Sequence, residues 1–229
     1  MKKLLALAVP LSLVAFLALA APAGDELAQA LKFKGDIKAG KESYFFCVKC
    51  HLPSGAGRND GTIPQLAGQH TTVLIKQIAD IRAGARDNST MHPLAKELAD
   101  AQELADIAAF IESLCIPPDH GRYEGKDAEK RIADGKILYE KDCVDCHQAN
   151  GEGVKDKLYP ALAGQHYKYL LRQMTETRDG KRRNASPEMA KVIAPYSNDQ
   201  LISVSAYQAS LSMPGLMCPI AAPGAAKKK

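Results

Sequence analysis

Cys47-Val48-Lys49-Cys50-His51 and Cys143-Val144-Asp145-Cys146-His147 are two copies of one pattern, C-x-x-C-H, set 96 residues apart in a chain of 229. The spacing carries a specific chemistry. Two thiols separated in this way add across the two vinyl groups of one porphyrin, and the adjacent imidazole reaches its iron. The pattern predicts two covalently bound haem c groups. Cys47, Cys50, Cys143 and Cys146 are the expected attachment points, with His51 and His147 as axial ligands of the irons.

Self-comparison at the same offset extends the match well beyond the pentapeptides. Pro64-Gln65-Leu66-Ala67-Gly68-Gln69-His70 falls on Pro160-Ala161-Leu162-Ala163-Gly164-Gln165-His166, and Leu74, Gln77 and Arg82 fall on Leu170, Gln173 and Arg178. Two tandem domains of common ancestry follow, at 24–116 and 127–213, joined by a Pro/Gly-bearing linker at 117–126 and followed by a tail at 214–229. Apolar residues recur at helical spacing, as in Val73, Leu74, Ile78 and Ile81, and alternating strand patterns are scarce. Helices are predicted over 37–46, 71–82 and 100–114 in the first copy, and over 129–141, 167–178 and 198–211 in the second. Asp100 and Asn198 are the expected N-caps. Glycine-bearing loops, 54–57 and 150–153, follow the two motifs. The fold class is all-α, two haem-wrapping domains in tandem.

Each iron needs a sixth ligand from its own copy. Met91 is the sole methionine of the first and sits in a turn-rich stretch, 40 residues after His51. The second offers Met174, Met189, Met213 and Met217. Met174 aligns with Ile78 inside a helix and reads as core, whereas Met189 follows His147 by 42 residues in a comparable loop. Met91 and Met189 are therefore the expected metal ligands. His70 and His166 occupy matching positions at helix starts and read as structural; His92 adjoins Met91, and His120 has no evident role.

Residues 1–23 read as a cleaved export leader, with Lys2 and Lys3, an apolar run from Leu4 to Leu19, and small residues fitting an A-x-A exit. The run is shorter than the roughly 20 residues that span a bilayer. A periplasmic location is expected, and no cysteine follows the run to carry a lipid. Over residues 24–120 there are 10 Lys/Arg against 13 Asp/Glu, and over 121–229 there are 18 against 13. That asymmetry makes a dipole able to orient encounters with charged partners. No basic stripe points to nucleic acid, and Lys227-Lys228-Lys229 offers at most weak attraction to a membrane surface. Two cysteines, Cys115 and Cys218, lie outside the motifs, and in an exported chain such a pair reads as a disulfide tying the tail to the first domain.

With both C-x-x-C-H sites, both P-x-L-A-G-Q-H segments and the late methionines, the chain resembles the dihaem cytochrome c4 family over its whole mature length. The resemblance implies two class I cytochrome c domains about a pseudo-twofold axis. It also implies that the carbonyls of Pro64 and Pro160, each 13 residues past its histidine, accept a hydrogen bond from the proximal imidazole. His/Met ligation leaves no position for substrate and raises the reduction potential. The expected function is electron carriage between a respiratory reductase and a terminal oxidase or other acceptor, by a monomer that is not itself an enzyme. Two other readings stand beside it. One is the electron-accepting subunit of a flavocytochrome sulfide dehydrogenase-like complex. The other is a dihaem enzyme such as a thiosulfate dehydrogenase or a peroxidase, which needs one open or cysteine-ligated iron.

Overall fold

Glycine decides how the helices of each repeat cross. In the computed structural model, which describes residues 23–219, α1 (Ala23–Ala30) precedes the first repeat. That repeat comprises α2 (Ile37–Ser43), α3 (Val48–His51), α4 (Thr71–Arg82), α5 (Met91–Lys96) and α6 (Ala101–Ser113). The second comprises α7 (Ala128–Asp142), α8 (Val144–His147), α9 (Tyr167–Arg178), α10 (Pro187–Ile193) and α11 (Asn198–Gln208). A Cβ on Gly40 of α2 would stand 1.9 Å from the Asp106 carbonyl of α6, and one on Gly135 of α7 would stand 2.0 Å from the Ser203 carbonyl of α11. Only glycine lets these backbones touch. Beside each crossing a tyrosine packs on an aromatic ring, Tyr44 on Phe110 at 5.2 Å and Tyr139 on Tyr207 at 5.3 Å.

The pairs 71–82 and 167–178 form helices with the expected ends, and Asp100 caps α6 through the amides of Gln102 and Glu103. Asn198 does not cap α11. It is the first helical residue, and Ser197 is the cap, in a capping box with Gln200. Helix α1 was not expected from the pattern. It adds Leu27 and Ala30 to the first core and pairs Glu26 with Arg82 at 3.2 Å. Residues 1–22 of the expected leader 1–23, and the tail beyond 219, lie outside the described residues. Among the described residues no helix is long and apolar enough to cross a membrane.

The repeats pack about a pseudo-twofold axis, because several contacts across them recur with the roles exchanged. The Gln69 amide bonds the backbone of Ala161, at 2.9 Å and 3.0 Å. The Gln165 amide bonds the backbone of Gln65 in the same way, at 3.0 Å and 2.8 Å. His70 Nε2 meets the Glu152 carbonyl at 2.7 Å and His166 Nε2 meets the Ala56 carbonyl at 2.8 Å. Residues 117–126 are no free tether. Gly121 donates to His166 Nδ1 and accepts from Tyr167, while His120, which has no evident role in the sequence, is buried and bonds the Ala209 carbonyl at 2.8 Å. Cys115 and Cys218 are joined by a disulfide, and next to it Ile116 bridges to Met217 in parallel. The end of the described chain is thereby fastened between the repeats, where Ile116 packs against both Gly68 and Gly164.

Candidate haem sites

The residue after each motif histidine is forced into an uncommon conformation. Leu52 has φ 64°, ψ 160° and Gln148 has φ 63°, ψ 162°. Such geometry costs roughly 1–3 kcal/mol per residue away from glycine. It persists because the neighbours hold it: the Tyr44 hydroxyl donates to the Leu52 carbonyl at 3.0 Å, and the Tyr139 hydroxyl donates to the Gln148 carbonyl at 2.7 Å. The turn sends the chain into the glycine loop, where Gly57 and Gly153 donate back to the carbonyls of His51 and His147. A side chain at either glycine would strike the carbonyl of Pro64 or Pro160 at about 2.5 Å.

Those proline carbonyls orient the imidazoles. His51 Nδ1–H donates to Pro64 O at 3.0 Å, and His147 Nδ1–H donates to Pro160 O at 2.9 Å. Burial lowers the pKa of both rings, against the raising effect of the same hydrogen bonds. A carbonyl can only accept, so each ring carries a proton on Nδ1, and Nε2 is the nitrogen available to a metal. Before haem is attached, burial also pushes the Cys47 thiol up to about 11 and the Cys143 thiol up to about 12.

One continuous cavity of about 1580 Å³ runs through both repeats, larger than the roughly 300–1,000 Å³ of an ordinary small-molecule pocket. Cys50, His51, Met91, Cys146, His147 and Met189 all line it. Both methionines sit differently from their sequence reading. Met91 opens α5 and Met189 lies within α10, and each has its amide bonded to a side chain three residues back, Asn88 at 3.0 Å and Ser186 at 3.1 Å. Met174 also faces the cavity from within the second core. Met213 packs with Ile116 and Ala161 instead.

Sequence reasoning missed Arg86 and Arg182, which correspond at the 96-residue offset and line the cavity at the repeat interface. Arg86 donates to Gln173 at 2.8 Å and Arg182 to Gln77 at 3.1 Å, one contact seen twice. Arg86 also donates to the Tyr169 hydroxyl at 3.0 Å. Burial pushes that hydroxyl up, but the charges of Arg86 and Arg182 outweigh it and hold it below the usual phenol range. Neither arginine has a carboxylate partner among the described residues. Two sheltered cations short of counter-ions, together with paired thiols, imidazoles and thioethers, fit two haems with their carboxylate groups.

Two such helical domains in tandem define a dihaem c-type cytochrome. The cytochrome c family pattern matches residues 37–115 and again 132–212. The chain is 32% identical over 192 residues to cytochrome c4 of Azotobacter vinelandii, covering 76% of this chain and 88% of that protein. It is likewise 32% identical over 171 residues to the thiosulfate dehydrogenase electron acceptor of Stutzerimonas stutzeri, covering 72% and 78%. The crystal structure of reduced cytochrome c4 from Pseudomonas stutzeri superposes with a TM-score of 0.67 at 30% identity, over 77% of this chain and 99% of that one. The chain belongs to the dihaem cytochrome c4 family and carries two covalently bound haem c groups.

Proposed function

We propose that the protein is a periplasmic electron carrier, taking electrons from a respiratory reductase and delivering them to a terminal oxidase or another acceptor, without catalysing a reaction of its own. One observation carries the reading. In each repeat a tethered imidazole and a methionine thioether line the same cavity, so a bound haem iron would find a protein ligand from each and would leave no position for substrate. When bound, each haem supplies one-electron redox chemistry. Cys47 with Cys50, and Cys143 with Cys146, hold the porphyrins. His51 with Met91, and His147 with Met189, would ligate the irons. Pro64 and Pro160 fix the imidazoles and raise their basicity, and Arg86 and Arg182 neutralise the haem carboxylates. The carrier works as a monomer.

The leader pattern and the Cys115–Cys218 disulfide support an oxidising, extracytoplasmic compartment. A relative that bears the name thiosulfate dehydrogenase electron acceptor favours a narrower version, in which the donor is a thiosulfate-oxidising enzyme. A spectroelectrochemical titration of the purified holoprotein, with carbon monoxide added to the ferrous form, tests the carrier reading. Two reversible one-electron steps and no rapid carbon monoxide complex are expected. Rapid binding at one haem, or reduction by thiosulfate alone, would place the protein among enzymes.

A further inference from the structure

The two repeats differ sharply at the surface beside the first cysteine of each motif. In the first, Phe45 and Phe46 follow Tyr44 in a single 3-10 turn and are 68% and 63% exposed. Their rings meet edge to face with centroids 6.0 Å apart, forming one apolar knob next to Cys47. Leu52, just past His51, is exposed as well. In the second repeat the residues between Tyr139 and Cys143 are Glu140, Lys141 and Asp142, and the counterpart of Lys49 is Asp145. The haem chemistry is duplicated, whereas the surface beside it is not.

Charge singles out the same place. Residues 24–120 are net negative, yet the stretch 31–52 holds Lys32, Lys34, Lys38, Lys41 and Lys49 against only Asp36 and Glu42. All five lysines are exposed, and none is in an ion pair among the described residues. The Asp36 carboxylate is turned into the cap of α2, where it accepts from the amides of Lys38 and Ala39. Single exposed apolar residues are ordinary on a protein surface, but paired aromatics within a run of unpaired cations have the composition of an interface, an apolar centre with a charged rim. Contacts of electron-transfer proteins are small and rely on charge for their encounter rate.

We propose that this surface of the first repeat docks a redox protein whose contact patch is apolar at its centre and rimmed by carboxylates. Phe45 and Phe46 fill the centre, and Lys41 and Lys49 meet the rim. The inference rests on the carrier reading and adds the port: one electron crosses between the partner's centre and the haem held by Cys47 and Cys50, one being oxidised as the other is reduced. No bond or proton changes hands.

The test uses isotope-labelled holoprotein and plastocyanin, a small blue-copper protein with an acidic face, as the probe. Chemical-shift mapping reads docking, and stopped-flow mixing at low and high salt reads transfer. Shift changes should centre on residues 41–52, and the rate should fall about tenfold or more as salt screens the encounter. The F45S/F46S variant should lose about tenfold at low salt, and K41E/K49E should reverse the salt dependence. I137S/K141E in the second repeat should leave both readouts unchanged. Shift changes centred on the second repeat, or wild-type rates in both first-repeat variants, would overturn the proposal. A footprint at 41–52 without electron transfer would uphold the docking face and overturn the carrier reading alone.

Discussion

At the scale of single residues, the backbone contacts at Gly40 and Gly135 are the least forgiving points in the two repeats. A methyl group at either would meet a carbonyl that belongs to a packed helix, about 2 Å away, so the helices must part. Gly40→Ala and Gly135→Ala should each destabilise the holoprotein by about 3 kcal/mol, read from denaturant unfolding. A change under 0.5 kcal/mol would show that the crossing adapts. Neither glycine stood out in the sequence, because a helical glycine looks the same whether it touches a neighbour or faces water. The cysteines and histidines of the motifs were legible, since covalent attachment fixes both residue type and spacing. Arg86 and Arg182 were not, although their alignment at the repeat offset was present in the chain. A half-buried cation becomes conspicuous only once its missing counter-ion can be seen.

At the scale of elements, periodicity located α4 and α9 to the residue, since both are amphipathic helices with one face on a core. The caps were harder. Ser197 and Asn198 are both good cap residues, and sequence preference alone does not choose between them. Gln200 does choose, because its side chain reaches the Ser197 amide at 2.9 Å while Ser197 Oγ accepts from the Gln200 amide at 3.2 Å. Ser197→Ala should cost about 1 kcal/mol, and Asn198→Ala much less. Equal losses in thermal melts would contradict that assignment. Helix α1 escaped the repeat comparison because it has no counterpart in the second copy.

At the scale of the whole molecule, the pseudo-twofold interface is polar and in part ionic. Glu112 accepts from Thr71 Oγ1 at 2.5 Å within its own repeat and from Lys155 of the other at 2.7 Å, with His70 Nδ1 at 3.8 Å. Burial raises its pKa, but the hydrogen bonds from Lys155 and Thr71, with the His70 ring close by, outweigh that and hold the carboxyl well below the usual carboxylate range. A carboxylate depressed in the folded state stabilises it fully above the ordinary value of 4.5 and loses that effect as the pH falls through the folded value. The melting-temperature gap between wild type and Glu112→Gln should therefore be widest near neutral pH and shrink below about pH 4.5. A gap independent of pH would remove Glu112 from the interface balance. Closure of both irons by sulfur is read from the far-red charge-transfer band of methionine-ligated ferric haem, measured per haem on wild type, Met91→Ala and Met189→Ala. A band worth two haems is expected in wild type and one in each variant. A wild-type band worth one haem, or a variant that keeps both, would contradict it.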